Sequence, residues 1–175
     1  MNTSRPDTSS LFVLGGARSG KSRYAQARAE ASALDLVFVA TAEPFDDEMA
    51  ERIACHQSDR GPRWSTLEAR IELPAAIQEH SRPGCLLLVD CLTLWTSNLL
   101  LTERDIEAAT EALRRAISAR AGPIIFVANE VGLGIVPDNA LARRFRDDAG
   151  RVNQAVAAVV DEVQFVAAGL PIRLK

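Results

Sequence analysis

Short apolar runs alternate with longer stretches of helical period along this 175-residue chain. Four runs are nearly continuous: LFVL at 11–14, LVFVAT at 36–41, CLLLVD at 85–90 and PIIFVAN at 123–129. Their β-branched and aromatic content, without polar alternation, predicts strands buried on both faces. Helical patterns lie between them. One covers 20–33, and another covers 46–58, where Asp46 and Asp47 can cap a helix and favour its positive end. A third runs over 103–120 with Ile106, Ala109, Leu113 and Ile117 on one stripe, and stops at Gly122-Pro123. A fourth follows Pro137-Asp138 to about residue 160, with an interruption expected at Gly150. The closing EVQFVAAGLPIRLK reads as two antiparallel strands around a glycine turn. This βαβα order predicts an α/β fold: a mostly parallel sheet flanked by helices, with a C-terminal hairpin closing one edge.

No repeat, low-complexity segment or linker divides the chain. The expected organisation is a frayed tail over 1–10 and one domain over 11–175. With 47% hydrophobic and 25% charged residues the composition is that of an ordinary globular protein with a sizeable core. A net charge of -3 argues against nucleic acid or an anionic membrane surface as partner. No apolar run approaches membrane-spanning length, and MNTSRPDTSS lacks the apolar segment of a signal peptide. Cys55, Cys85 and Cys91 form no C-x-x-C pair and suit a reducing compartment. The expectation is a cytoplasmic enzyme or switch.

The first run leads into GGARSGKS, residues 15–22, which places Gly15, Gly20, Lys21 and Ser22 in the pattern G-x-x-x-x-G-K-S between a strand and a helix. The glycines let successive N–H groups of the loop face one phosphate, and the helix adds its positive end. Lys21 would reach the β- and γ-phosphates, and the Ser22 hydroxyl would ligate Mg²⁺. An acidic partner for that ion is expected at a neighbouring strand end, where Asp90 closes CLLLVD and Glu130 follows PIIFVAN. No NKxD guanine-reading motif occurs, which weighs against a familiar switch GTPase.

Residues 40–64 carry a less common signal. Met49, Ile53 and His56 extend one apolar stripe at helical spacing, so His56 could be a packing residue. Arg52, Asp59 and Arg60 stand beside it, so it could equally work next to bound phosphates. Periodicity leaves both open. His80, the only other histidine, reads as an exposed loop residue in QEHSRPG. Asn129 and Glu130 are placed either to face the site or to begin a plain loop. Trp64 and Trp95 read as packing residues. The mixed-charge stretch with Arg143, Arg144, Arg146 and Arg151 reads as a solvated face, with contact to another subunit or a substrate phosphate as the alternative.

Taken in order, GGARSGKS, DDEMAERIACHQSDRGPRW, LLLVDCLTLWTSNLL, VANEVGLGIVP and RFRDDAGRVNQ resemble the bifunctional adenosylcobinamide kinase / adenosylcobinamide-phosphate guanylyltransferase family of cobalamin biosynthesis. The likeness runs from about residue 11 to 175, and the R-I-x-x-H segment with NEVGLGIVP is its most specific part. The resemblance implies a RecA-like P-loop NTPase fold and a homotrimer. It implies phosphorylation of adenosylcobinamide, then transfer of GMP from GTP onto that phosphate through a guanylylated histidine. It places that histidine at His56. It further implies that Gly15, Gly16, Ala17, Arg18, Ser19, Gly20, Lys21 and Ser22, then Ala40, Thr41 and Ala42, then Gln57, Ser58, Asp59 and Arg60, and finally Glu68 and Asp90 line the nucleotide. GTP and ATP are the implied nucleotide substrates, with Mg²⁺ as cofactor on Ser22 and Asp90. Adenosylcobinamide and its phosphate are the implied small-molecule partners.

Overall fold

The computed structural model describes residues 7–42 and 61–175. Among these, seven strands form one sheet: β1 Ser10–Gly15, β2 Asp35–Ala40, β3 Trp64–Glu68, β4 Cys85–Asp90, β5 Ile124–Asn129, β6 Glu162–Ala167 and β7 Leu170–Arg173. Their spatial order is β3-β2-β4-β5-β1-β6-β7. Every pairing is parallel except that of β6 with β7. The helices are α1 Lys21–Glu30, α2 Leu73–His80, α3 Leu92–Leu101, α4 Ile106–Ser118 and α5 Ala140–Val159. The expected parallel sheet and closing hairpin are both present.

Period-two alternation explains how the continuous apolar runs are used. Leu11 and Val13 of β1 point to one face, where Leu86, Leu88, Ile125 and Val127 of the neighbouring strands meet Ala25 and Ala29 of α1. Phe12 and Leu14 point to the other, into a larger core with Leu73 and Ile77 of α2, Trp95 and Leu99 of α3, Leu113 and Ile117 of α4, and Val152 and Val156 of α5. Alanines on the buried side of α1 let that helix lie close against β1, β4, β5 and β6. The phosphate-loop helix is thereby fixed over the middle of the sheet.

Three elements escape the sequence pattern. β3 is a half-exposed edge strand with only Trp64 and Leu67 as apolar contacts, so no apolar run announces it. α2 has two fully buried anchors, Leu73 and Ile77, on a single turn-to-turn stripe. It ends at His80, which is therefore half-buried at a helix terminus and not an exposed loop residue. α3, LTLWTSNLLL, buries nearly its whole circumference and so has no polar face to reveal a helical period. Two boundaries also shift. α5 runs through Gly150 unbroken, since a single glycine weakens a helix by only about 1 kcal/mol while buried Ala149, Val152 and Val156 hold both sides of it. α4 is shorter than 103–120, beginning where Asp105 caps it by accepting from Ala108 N at 3.0 Å. The helix expected over 46–58 lies outside the described residues.

Candidate active site

The turn after β1 is possible only because Gly15 lacks a side chain. A Cβ there would stand 2.5 Å from both the Val166 carbonyl oxygen and Ser19 Oγ. Arg18 and Gly20 then take left-handed backbone angles, φ +54° and +91°, which curl the chain into the start of α1. Gly20 caps α1 without any side-chain acceptor, so the first-turn amides keep no protein cap. Lys21 is buried and folds back across the loop, its Nζ donating to the Gly16 carbonyl at 3.1 Å. Ser22 stands half-buried in the first turn, while Ala17 and Arg18 are exposed at the loop's crest. Ser19 Oγ is buried and has no hydrogen-bond partner. A buried hydroxyl left unpaired costs about 1–3 kcal/mol, and a phosphate oxygen in the loop would satisfy it. The loop therefore fits the phosphates expected of it.

The sheet register brings the other candidates to the same edge. Glu68 pairs with Ala40, Ala40 with Asp90, and Asp90 with Val127. Two residues further along β5, Asn129 pairs with Gly15 at the mouth of the loop. Residues spread from position 15 to position 129 thus share the carboxyl ends of five adjacent strands, where open α/β sheets receive ligands. Thr41 continues β2 but turns inward. It is fully buried, donating to the Cys91 carbonyl and accepting from Cys91 N, both at 2.8 Å. Ala42 is half-exposed beyond it. Asn98 of α3 donates to the carbonyls of Thr41 and Arg70, at 2.8 and 3.0 Å, and so ties the exits of β2 and β3 together.

At the end of β5, Glu130 N donates to the Gly15 carbonyl at 3.0 Å, and Asn129 N donates to Thr93 Oγ1 at 2.7 Å. The Glu130 carboxylate accepts from Gly132 N of its own loop. Asp90, the other acidic candidate, closes β4 in register with Ala40. Burial first, and then the charge of neighbouring Asp90, push the Cys91 thiol up to about 12. Among the described residues no group of three or more His, Cys, Asp or Glu gathers. A hydroxyl and a carboxylate, Ser22 and Asp90, are the donors expected for a Mg²⁺ that takes its other ligands from phosphate and water.

Three neighbours of the site escaped the sequence reading: Thr93, Asn98 and Gly169. Thr93 and Asn98 were visible as polar residues inside an apolar run, the signature of buried hydrogen bonding. His56, Gln57, Ser58, Asp59 and Arg60 lie outside the described residues. His80 closes α2 next to Ser81, whose Oγ accepts from Ala121 N and Gly122 N ahead of β5, so it belongs to the opposite, amino edge of the sheet. Trp95 is a packing residue, wholly buried with Nε1 donating to the Ile71 carbonyl at 2.8 Å. Trp64 is half-buried, with Nε1 on Glu30. A groove of about 960 Å³ between α4 and α5 holds Arg144 and Arg151. Their guanidiniums pair with Asp148 of their own helix, so this groove is a self-neutralised surface apart from the phosphate loop.

A family model described as cobinamide kinase / cobinamide phosphate guanyltransferase matches residues 11–174. The chain belongs to this family. It is 46% identical to the bifunctional adenosylcobalamin biosynthesis protein CobP of Pseudomonas aeruginosa, over 94% of this chain and 96% of that one. It is 39% identical to the corresponding CobU protein of Salmonella typhimurium, over 94% and 99%. As a member of this family it carries the P-loop NTPase fold seen in distant solved structures. These include the ATPase EscN of the enteropathogenic Escherichia coli type III secretion system, with a TM-score of 0.59 at 11% identity over 91% of this chain and 43% of that one. The flagellar accessory protein FlaH of Methanocaldococcus jannaschii gives 0.53 at 12% identity, over 99% and 81%. No helix among the described residues is long and apolar enough to cross a membrane.

Proposed function

We propose that this enzyme phosphorylates the hydroxyl of adenosylcobinamide, then transfers GMP from GTP onto the resulting phosphate, giving adenosylcobinamide-GDP and pyrophosphate. The observation that carries the reading is the phosphate loop with its orphaned Ser19 hydroxyl and folded-back Lys21, at the same sheet edge as Asp90, Ala40 and Glu68, which stand in register with one another. The loop amides and Lys21 hold the triphosphate and neutralise charge on whichever part departs. Ser22 and Asp90 would hold Mg²⁺, which would supply further neutralisation of phosphate charge. For the first transfer, the chain positions the γ-phosphate of GTP or ATP against the substrate hydroxyl. For the second, His56 attacks the α-phosphorus of GTP with a neutral imidazole nitrogen, the bond to the β-phosphate breaks with loss of pyrophosphate, and a phosphoramidate forms. The substrate phosphate then displaces the histidine, so one difficult step becomes two easier ones.

Gly15, Gly16, Ala17, Arg18, Ser19, Gly20, Lys21 and Ser22 form the phosphate cradle in this reading. Ala40 and Ala42 line the nucleotide with Glu68, Gln57, Ser58, Asp59 and Arg60. Thr41 contributes through its backbone, because its hydroxyl is committed to Cys91. We place the enzyme in the cytoplasm as one catalytic domain over 11–175, working as a homotrimer. Buried free thiols at Cys85 and Cys91 suit that compartment. The exposed Leu133, Ile135, Val136 and Leu141 beside the β5 exit support contact between copies.

The test is transfer of label to the protein itself. GTP labelled at the α-phosphate should leave an acid-labile, alkali-stable adduct on denatured enzyme, and γ-labelled GTP should not. His56→Ala should lose the adduct and guanylyl transfer while retaining phosphorylation of adenosylcobinamide. Uptake of α-label by that variant would remove His56 from the mechanism, and a kinase without a covalent intermediate would then account better for the loop.

A further inference from the structure

The phosphate loop is braced from a distant part of the chain. Gly169 N donates to the Ser19 carbonyl at 2.7 Å, the shortest backbone bond made by the loop. Gly169 is the second residue of the two-residue turn joining β6 to β7, since Ala167 pairs with Leu170 across it. Both turn residues are left-handed, Ala168 at φ +51° and Gly169 at +80°. In such a turn the strands' own ladder does not use the second residue's N–H, and here that N–H is spent on the loop. Two further approaches leave no space for side chains. A Cβ on Gly20 would lie 3.2 Å from Gly169 Cα, and one on Gly15 would lie 2.5 Å from the Val166 carbonyl oxygen. β6 and its turn therefore press directly on both ends of the loop.

The consequence follows from peptide geometry. Ser19 C=O and Gly20 N–H belong to one planar trans unit and point in opposite directions. With the carbonyl tied to the hairpin, the Gly20 amide must face away from it. Without that tie, Gly20, left-handed and lacking a Cβ, would leave the unit free to rotate. We propose that Gly169 is a positioning residue for nucleotide binding: the Ala168–Gly169 turn fixes the Ser19–Gly20 peptide so that the Gly20 amide is presented to the nucleotide phosphates. This rests on the reading that the loop holds a triphosphate.

The experiment compares full-length Gly169→Asn, Gly169→Ala and Gly169→Val with wild type, measuring Kd for Mg-GTP by calorimetry beside Tm. A Cβ at 169 meets only Arg23 Nη2, at 3.7 Å, so the substitutions act through the left-handed angle and not through a clash. Relieving that strain turns the amide away from Ser19, and nucleotide binding must restore it. Asn, which tolerates this conformation, should stay within about twofold of wild type, whereas Ala should bind about tenfold more weakly and Val more weakly still. Equal Kd across the series with a falling Tm would overturn the proposal, because the hairpin would then be structural only. Should Ala and Val fail to fold, hydrogen exchange at the Gly169 amide in nucleotide-free wild type decides. Protection supports the tie, and free exchange refutes it. Lys21→Ala separates the two readings: if it binds Mg-GTP like wild type, the loop assignment itself has failed. If it loses binding while the Gly169 series stays flat, only the positioning role has failed.

Discussion

Replacing Thr41 by valine tests how the carboxyl edge of the sheet is held. The side chains are nearly the same size, so the exchange changes hydrogen bonding without opening a cavity. Thr41 Oγ1 is fully buried and serves both backbone groups of Cys91 at 2.8 Å. Valine leaves that N–H unpaired in a dry environment, at about 1–3 kcal/mol, and takes one of two donors from the C=O, which keeps Trp95 N at 3.2 Å, at about 1 kcal/mol more. The added methyl returns about 1 kcal/mol of apolar burial. A net loss of about 2 kcal/mol is expected, which for a chain of this length lowers Tm by roughly 4–8 °C. Thr41→Ser keeps the hydroxyl and gives up one methyl, so it should lose only about 1 kcal/mol. Equilibrium urea unfolding followed by tryptophan fluorescence measures both, since Trp95 is completely buried in the same core. If Thr41→Val and Thr41→Ser prove equally stable at equal m-values, the hydroxyl clamp carries no weight and the reasoning fails. Because Cys91 directly follows Asp90, the valine variant should also require more Mg²⁺ for half-maximal transfer.

Other perturbations separate local from long-range effects. Arg28 of α1 grips Glu162 of β6 through two hydrogen bonds of 3.0 and 3.1 Å, and that bond, helped by Gln164, holds the Glu162 carboxyl down at about 2 against an ordinary 4.5. A depressed folded pKa stabilises above the unfolded value, so this contribution should be complete above about pH 5 and fade as pH falls from 4.5 towards 2. Arg28 is 41% exposed, so solvent screening limits the pair to about 1 kcal/mol. Denaturation curves should show Glu162→Gln less stable than wild type at pH 7 and equal to it near pH 2. A constant difference across that range would refute the assignment. Gly15→Ala should destabilise the fold by about 1–3 kcal/mol, because its Cβ meets the Val166 backbone. Gly16→Ala should leave Tm unchanged, because its Cβ meets nothing within 4 Å. Thermal melts of the pair check this contrast, and equal losses would show that the loop does not have this shape.

The sequence by itself determined the strands that bury both faces, the strand–loop–helix carrying Lys21 and Ser22, and the antiparallel end of the chain. Each is a local property: continuous apolar residues, a glycine pattern at fixed spacing, or a glycine turn between short runs. It also carried the family, through motifs spread over residues 11–175. The tertiary structure decided what has no local cause. β3 exists because an edge strand can pair with β2 while remaining half-exposed, so its residues need no apolar pattern. α3 is a helix because its surroundings bury it on nearly all sides, which erases the period a sequence would show. The alignment of Glu68, Ala40, Asp90 and Gly15 follows from strand order and register, and both are set by which faces find partners across the whole sheet. The pleat turned the Thr41 side chain inward onto Cys91, a contact between residues 50 positions apart. Gly169 reached Ser19 for the same kind of reason. Parallel pairing of β6 with β1 carries the chain's end to the mouth of its first loop, 150 residues away in sequence, and hydrogen bonds formed across such a separation leave no periodicity to read.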